Sequence, residues 1–404
     1  MRATRMTMLV IDMCTPANAQ PTKAKNRITI CPNRLMGWPD CSGRISSLAI
    51  GRLHGSSNQR AWILPQPSTG FDSPVIGLPS RWPQPAHIDR IGVLPEPRFA
   101  PMTHDADLRD RLKTVHTYAA TPFTDDLLQL DLPGFERNLE FLVDHGMKVI
   151  AVGGGTGEIE TLTVDDLETL VGTALRTVDG RALVIACLPA NLGEAIELLG
   201  RYERLGVEIC LGMPPLIRSK IPTDLSGTWN YFNELGRATG LPLMPYNTQG
   251  WPAEFVVELA EIEAIIGVKD PCFLPHEFFR AIRMLGDRFV WIGNKKHDPG
   301  VAQLRYQMGM EGFTSGQGNF WPEPELAIHA AGVEGDWDRI IEIQQRVAVL
   351  EQLRLAHDDA GMVKAGMDLV GLAGGKVRPP RVDAPEEARE AFREALVAAE
   401  CPLI

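Results

Sequence analysis

The chain has 404 residues, of which 44% are hydrophobic and 23% are charged, a composition typical of a globular protein with a large core. It contains no run of about 18 apolar residues, so the sequence predicts no membrane-spanning helix. The formal net charge of −11 argues against nucleic acid as a partner, because an acidic surface repels phosphates.

Residues 1–101 differ in character from the rest of the chain. They hold 13 of the 31 prolines, and 12 Lys or Arg against 5 Asp or Glu, with almost no apolar periodicity. Such a segment cannot bury enough surface to offset its ordering entropy, so we expect it to be disordered. The alternative, which we favour, is a misassigned extension with translation beginning at Met102. We expect no secretory signal, because Asp12 interrupts the short apolar patch near the start.

Cysteine usage indicates a reducing compartment. The seven cysteines form no close CxxC pair and have no histidine at zinc-finger spacing, so no zinc site is predicted. We therefore expect a cytoplasmic protein.

From about Leu108 onward, short apolar runs alternate with amphipathic stretches at a period of roughly 25 to 35 residues, which is typical of βα units and a parallel sheet. The eight predicted strands are Val115 to Ala119, Val149 to Gly153, Leu183 to Leu188, Ile209 to Met213, Leu243 to Tyr246, Ile265 to Lys269, Phe289 to Ile292 and Gly312 to Ser315. Helix patterns between them include Leu132 to His145, Val164 to Val178, Leu192 to Leu205, Pro252 to Glu263 and Pro275 to Leu285.

Local signals mark the ends of these helices. Thr163 followed by Asp166 predicts a capped start, and Gly146 and Gly206 stand where helices end.

Eight strands with intervening helices predict an α/β fold, a closed (β/α)8 TIM barrel, over residues 102–320. The rival is an open doubly wound sheet, which the lack of a GxGxxG after the first strand weakens. After Trp321 the strand pattern stops. Helical stretches such as Trp337 to Leu355 and Pro385 to Ala399 predict an appended C-terminal helical bundle over residues 321–404.

A parallel barrel carries its active site at the carboxyl ends of its strands, so polar residues that end apolar runs are the candidates. Lys269 ends the run Ile265 to Val268, where partial desolvation would lower its pKa and leave free amine to attack a ketone. The alternative is a solvated lysine paired with Asp270, and position alone does not separate the two. Tyr246 ends the preceding strand, close enough to relay protons to a lysine adduct. A tyrosine packed at the rim is the alternative there.

Two stretches of small residues could leave room for a ligand. The run of glycines from Gly153 to Glu158 follows the second strand, where consecutive backbone amides and a hydroxyl suit a carboxylate or phosphate. The run from Gly312 to Asn319 surrounds the last strand and would open space at the mouth. Tight turns without a ligand are the alternative in both places.

Other polar residues carry less weight. Lys295, Lys296 and His297 follow the seventh strand and could bind a second acidic group, although a solvated charge run is the better interpretation. His116 begins the first strand, at the end opposite to the expected site. Neither a Ser-His-Asp set nor a cluster with metal-ligand spacing is visible in the barrel.

Taken together, these segments resemble the dihydrodipicolinate synthase and N-acetylneuraminate lyase family of class I aldolases and dehydratases, over about Thr117 to Leu396. Five segments carry the resemblance, in the order Thr121-Pro122-Phe123, Gly155-Thr156-Gly157-Glu158, Tyr246-Asn247, Gly267-Val268-Lys269-Asp270 and Arg378-Pro379-Pro380. Each segment is weak alone, but their order and spacing together are specific.

The resemblance implies that Lys269 is the Schiff-base lysine, that Tyr246 relays protons, and that the amides of Gly155 and Thr156 bind the 1-carboxylate of a small 2-oxo acid. The further candidate substrate-binding residues are Gly157, Glu158, Asn247, Ser315 and Gly316. The resemblance also implies a homotetramer and neither a metal nor an organic cofactor.

Within the family, the sequence is most similar to the branch that contains 5-dehydro-4-deoxyglucarate dehydratase. Gly155 stands where the synthase and sialic acid lyase branches carry the first of two hydroxyl residues, and Pro214-Pro215-Leu216-Ile217 lacks the interface tyrosine of the synthase. Asn319-Phe320-Trp321-Pro322-Glu323 resembles the Asn-Phe-x-Pro-Glu of the dehydratase. Thr248 stands where that branch has an arginine, so the partner of a distal carboxylate is left open.

The leading hypothesis is therefore a Schiff-base lyase that dehydrates a 2-oxo sugar acid. A pyruvate-dependent aldolase or a dihydrodipicolinate synthase is the alternative within the same chemistry. A sugar-acid-binding barrel that has lost catalysis ranks below both, because Tyr246 and Lys269 are both present.

Overall fold

The computed structural model describes residues 106–271, 273–295 and 298–403. The predictions for residues 1–101 fall outside the described residues. The strands are β1 (Val115–Tyr118), β2 (Val149–Val152), β3 (Leu183–Leu188), β4 (Ile209–Gly212), β5 (Leu243–Pro245), β6 (Gly267–Lys269), β7 (Val290–Asn294) and β8 (Gly312–Ser315). The α-helices are α1 (Ala106–Leu112), α2 (Leu132–Asp144), α3 (Val164–Val178), α4 (Leu192–Leu205), α5 (Ser226–Ala238), α6 (Ala253–Leu259), α7 (Pro275–Leu285), α8 (Val301–Met308), α9 (Pro322–Glu334), α10 (Trp337–Ala356), α11 (Asp359–Leu369) and α12 (Glu386–Ala398).

The strands form one parallel sheet in the order β5-β4-β3-β2-β1-β8-β7-β6. Two parallel bridges, Leu243 to Ile265 and Tyr246 to Lys269, join β5 to β6 and bring the ends of this order together. The predicted barrel is confirmed, and the open doubly wound sheet is wrong. Because all eight strands are parallel, their carboxyl ends lie at the same end of the barrel. The residues that follow the strands therefore surround one opening, the mouth of the barrel.

The elements form where local physics places them. β3 is buried along its whole length, as expected for a strand covered by helices outside and by the barrel interior inside. α3 begins with a capping box between Thr163 and Asp166, and α4 ends at Gly206 with a φ of 82°, a left-handed conformation that costs glycine little. The helix ends predicted from these residues are confirmed.

The helices after β8 pack next to the mouth. Asn319 accepts a hydrogen bond from the N–H of Ala120 at 2.9 Å and donates one to the carbonyl of Tyr118 at 2.9 Å, which ties the segment after β8 to the end of β1. A second apolar cluster joins Ala120 to side chains of the C-terminal helices, including Phe320, Val363 and Phe392. The C-terminal helices are thereby placed beside the carboxyl ends of β1 and β8. Among the described residues, none of the helices combines the length and the apolar character that crossing a membrane requires.

Candidate active site

Lys269, the last residue of β6, lies at the centre of the candidate site. The residue is 6% exposed, and its Nζ is 3.4 Å from the ring centroid of Tyr118 and 3.8 Å from that of Tyr246. Burial lowers the pKa of Lys269 from 10.5 to about 7, because an ammonium loses its hydration in an apolar site. A large share of the side chains therefore carries the nucleophilic free amine at neutral pH.

Tyr246 follows β5 and pairs with Lys269 across the closure of the barrel. Its N–H donates to the carbonyl of Gly212 at 3.0 Å, and the N–H of Asn247 donates to the carbonyl of Lys269 at 2.8 Å. Burial raises the pKa of Tyr246 to about 12, so the hydroxyl stays protonated at neutral pH and can deliver a proton to an adduct on the lysine. The structure brings the two predicted residues together, and their catalytic roles stay predictions.

Tyr118, at the end of β1, is a site residue that the sequence reasoning missed. Its ring contacts the Lys269 amine, it is 3% exposed, and its hydroxyl is buried with no hydrogen-bond partner among the described residues. Within a predicted strand, a tyrosine is indistinguishable from an ordinary core residue. The available signal was its position, because Tyr118 lies at a strand end at the expected mouth.

The glycine run after β2 packs directly against this centre. A Cβ at Gly154 would lie 2.5 Å from Cδ1 of Tyr118, whereas a Cβ at Gly155 would meet nothing within 4 Å. The carbonyl of Gly157 accepts a hydrogen bond from the hydroxyl of Thr121 at 2.8 Å. No described residue accepts a hydrogen bond from the N–H of Gly155 or Thr156. The loop therefore presents open space and two unused donors beside the Tyr118 ring, as a carboxylate requires.

Glu158, which we predicted to bind substrate, has its carboxylate engaged inside the protein. One oxygen lies 2.6 Å from Nζ of Lys364, and the other accepts a hydrogen bond from the N–H of Arg378 at 2.8 Å. The residue has a φ of 62°, in the left-handed region that is costly for a residue with a side chain. These contacts hold the glycine run against the C-terminal helices. Glu158 thus positions the loop, and direct binding of substrate by it stays a prediction.

Asn247 and Ser315 also make internal contacts. The Asn247 amide donates to Oδ2 of Asp270 at 2.7 Å, and its Oδ1 accepts from the N–H of Trp251 at 2.9 Å, so this residue links the segments that follow β5 and β6. Ser315 Oγ accepts from the N–H of Gly318 at 2.9 Å. Both residues stabilise the rim on either side of Lys269, and their contact with substrate stays a prediction.

Comparison with known proteins agrees with this geometry. The family model of the Dihydrodipicolinate synthetase family matches residues 111–399. The chain belongs to this family. It is 33% identical over 293 residues to 4-hydroxy-tetrahydrodipicolinate synthase of Acidothermus cellulolyticus, an alignment that covers 70% of this chain and 92% of the relative.

Relatives of this chain carry the names of more than one enzyme. The probable 5-dehydro-4-deoxyglucarate dehydratase of Oceanobacillus iheyensis is 26% identical over 287 residues, with 69% of this chain and 92% of the relative covered. The crystal structure of dihydrodipicolinate synthase from the same organism superposes with a TM-score of 0.68 at 25% identity and covers 73% of this chain and 98% of that one. Members of this family are lyases and dehydratases of the class I Schiff-base type. The predicted family and enzyme class are confirmed, whereas the homotetramer and the cytoplasmic location stay predictions.

The structure corrects one prediction. Lys295 was interpreted as part of a solvated charge run, and this was wrong, because the residue is 3% exposed. Its Nζ lies 3.3 Å from Oε1 of Glu325 and 3.2 Å from Oε1 of Glu351. Two helices of the C-terminal region, α9 and α10, supply these carboxylates and bury the cation between them. Lys296 and His297 lie outside the described residues.

Neither a candidate metal site nor a chemical role for His116 emerges in the described part of the chain. Among the described residues, no group of three or more His, Cys, Asp or Glu side chains is placed to hold a metal ion. His116 is buried, and its Nε2 lies 2.7 Å from the carbonyl of Leu112. Desolvation lowers the pKa of His116 to about 4, so the ring is neutral and packs inside the barrel.

Proposed function

We propose that this member of the family forms a Schiff base between Lys269 and a small 2-oxo acid. One observation carries the proposal, namely a buried lysine amine between the rings of Tyr118 and Tyr246 with a pKa of about 7. An amine with this pKa at a barrel mouth has the reactivity that attack on a ketone requires. Among the described residues, no carboxylate lies within ion-pair distance of its Nζ, so the amine is not held as an ammonium by an acidic partner.

The glycine run supplies the carboxylate site of this proposal. The N–H groups of Gly155 and Thr156 point to no acceptor in the described chain, and Gly154 packs against the Tyr118 ring that also touches the lysine. In this proposal, a 1-carboxylate bound to these amides brings C2 towards Nζ of Lys269, because C1 and C2 are directly bonded in a 2-oxo acid. Binding and attack then use one fixed geometry.

The reaction follows from this arrangement. The lone pair of Nζ adds to C2, the carbonyl oxygen takes up two protons and leaves as water, and the resulting iminium withdraws electrons from C3. Loss of a proton from C3 gives an enamine, which then either expels a hydroxyl from the next carbon as water or adds to an aldehyde. The hydroxyl of Tyr246 is the group that moves protons at these steps.

Among substrates, we favour a 2-oxo sugar acid of the 5-dehydro-4-deoxyglucarate type, which is dehydrated and decarboxylated. Once the hydroxyl has left, the new double bond is conjugated with the iminium, so the electron pair of the bond to the distal carboxyl carbon moves towards the nitrogen and CO₂ is released. Protonation at carbon and hydrolysis of the imine then return the free lysine. Gly155 in place of a hydroxyl residue and the segment Asn319 to Glu323 support this choice, as does the similarity to two probable 5-dehydro-4-deoxyglucarate dehydratases. Aldol addition of pyruvate is the second candidate. It is supported by the 33% identity to 4-hydroxy-tetrahydrodipicolinate synthase of Acidothermus cellulolyticus.

Turnover assays with two substrate sets test the proposal. Release of CO₂ from 5-dehydro-4-deoxyglucarate supports the dehydratase, and loss of pyruvate that depends on an added aldehyde supports the aldolase. Either activity disappears in Lys269→Ala and persists in Lys148→Ala. Lys148 is exposed and directly precedes β2, at the end of the barrel opposite to the mouth. Full turnover by Lys269→Ala would overturn the proposal.

A further inference from the structure

A cluster of buried charges lies on the C-terminal helices beside the end of β8. Arg354, in the last turn of α10, is 2.8 Å from Oε2 of Glu351 and also pairs with Asp359 in the first turn of α11. The Arg354 side chain is only 12% exposed. Its buried Nε has no hydrogen-bond partner among the described residues. The N–H group at Nε of Arg354 can therefore donate a hydrogen bond to one more acceptor.

This guanidinium borders the candidate active site. A Cβ at Gly316 would lie 3.5 Å from Nη1 of Arg354, so the backbone after β8 lies close to the cation. Ser315 pairs with Thr117 of β1, which puts Gly316 beside Tyr118. The Tyr118 ring lies 3.4 Å from Nζ of Lys269. Gly316, next to Arg354, follows β8, and Tyr118, next to the Lys269 amine, ends the neighbouring strand β1. Arg354 is therefore close to the candidate active site.

Asp359 also acts on the active site. Its negative charge contributes to raising the pKa of Tyr246 and opposes the lowering of the pKa of Lys269. Such effects require a short distance through a medium that screens poorly. The pair of Arg354 and Asp359 is thus part of the electrostatic environment of the mouth, although both residues come from helices outside the barrel.

We propose that Arg354 binds the distal carboxylate of a dicarboxylic 2-oxo acid whose C2 is attached to Lys269, and that this carboxylate replaces Asp359 as the partner of the guanidinium. The inference rests on the proposed Schiff-base function and names the substrate class. Asp359 is the exchangeable partner, because its side chain is 44% exposed. Glu351 is 5% exposed and also contacts Lys295, so it stays in place and fixes the arginine.

Charge balance explains the selection of a diacid. The exchange swaps one carboxylate for another as the partner of Nη1, so the guanidinium keeps a charge-assisted contact at that nitrogen. A neutral chain end cannot replace Asp359, because it would leave the guanidinium without this acceptor in a buried place. Arg354 therefore discriminates between substrates that differ only at the distal end.

Two acids of equal length test this role. 2-Oxoadipate and 2-oxohexanoate both have six carbons and the same 2-oxo acid head, but only the first has a distal carboxylate. The measured quantity is the concentration of each acid that gives half-maximal borohydride-trapped adduct. For the wild-type enzyme we expect the half-saturating concentration of the diacid to be about 10- to 100-fold lower than that of the monoacid. This is the difference in affinity that one charge-assisted hydrogen bond typically gives.

Two variants of the charge pair change this ratio in opposite directions. Arg354→Met brings the ratio of the two half-saturating concentrations close to 1, because it weakens binding of the diacid alone. Asp359→Asn increases the difference between the two half-saturating concentrations, because it removes the carboxylate that competes with the diacid for Arg354. Arg346→Met is the matched control on the same helix, because the Arg346 side chain is exposed and its guanidinium lies over the Trp321 ring. This variant keeps the wild-type ratio.

The outcomes separate the inference from the proposed function. If no adduct forms with either acid, or with pyruvate or 5-dehydro-4-deoxyglucarate, the Schiff-base function is overturned and the inference with it. If pyruvate or 5-dehydro-4-deoxyglucarate is trapped on Lys269 and neither six-carbon acid is, the inference alone is overturned. Adducts with equal half-saturation in the wild type overturn the inference alone. If Arg354→Met weakens both acids equally, the arginine serves the fold and not the distal carboxylate. Should that variant not fold, Asp359→Asn decides, because weaker binding of the diacid by Asp359→Asn also overturns the inference.

Discussion

Replacement of Lys269 by methionine is expected to stabilise the protein while abolishing its chemistry. Methionine has a similar length and remains apolar, so it fills the space between Tyr118 and Tyr246 without a charge. The lysine, in contrast, must lose either its proton or its hydration when the chain folds. A residue kept for reactivity at the expense of stability is common in active sites.

The magnitude follows from the pKa of the lysine in the two states. Burial lowers it from 10.5 to about 7, so between these two pH values the unfolded chain binds a proton that the folded state has released. At pH 7 this difference lowers the free energy of unfolding by about 4 kcal/mol. The penalty is full below pH 7 and shrinks as the pH rises toward 10.5, where both states release the proton. The gain for Lys269→Met follows the same course.

Thermal and urea unfolding of wild type and Lys269→Met across this pH range measure the effect. We expect the thermal midpoint of the variant to be several degrees higher than that of the wild type at pH 7, and its urea midpoint to be higher as well. Both differences decline at higher pH. Lys364→Met is the contrasting control, because Lys364 lies 2.6 Å from the buried Glu158 carboxylate, and its loss leaves a buried charge unpaired and destabilises the fold. A Lys269→Met protein no more stable than wild type at pH 7 would refute the reasoning.

Three further predictions concern catalysis. The rate of imine formation with pyruvate rises with pH through the Lys269 pKa of about 7 and then stays level, and a limb centred near the ordinary lysine pKa would contradict this. Tyr246→Phe lowers kcat by about 10²- to 10⁴-fold while the lysine adduct still forms; an unchanged kcat would rule out proton relay by this hydroxyl. Gly154→Ala lowers activity at least tenfold because its methyl group would lie 2.5 Å from the Tyr118 ring, whereas Gly155→Ala, which meets nothing within 4 Å, keeps most of it. Equal loss in both glycine variants would argue against this packing.

The barrel and its helices could be predicted because their determinants are local. A strand such as β3 is buried along its length and therefore appears as a continuous apolar run. The capping box at Thr163 and the glycine at Gly206 act within one helical turn. Lys269 could be found for the same reason, since an apolar run that ends in a lysine at a barrel mouth is visible without knowing its neighbours.

The missed residues depend on contacts between distant parts of the chain. Tyr118 resembles a core residue until the closed barrel brings its ring to the amine of β6. Lys295 looked solvated because the carboxylates that bury it come later in the chain, Glu351 being 56 residues away. Arg354 lies on a helix outside the barrel, and only the packing of that helix against Gly316 places it at the mouth.

The central claim is that the Lys269 amine forms the covalent intermediate, and borohydride trapping tests it most directly. The protein is incubated separately with pyruvate and with 5-dehydro-4-deoxyglucarate and reduced, and the added mass is located by peptide mass spectrometry. We predict an adduct on Lys269 with at least one of the two acids and none on Lys364, which is buried in its ion pair with Glu158. An adduct on another lysine, or no adduct with either acid while the enzyme turns that acid over, would contradict the account.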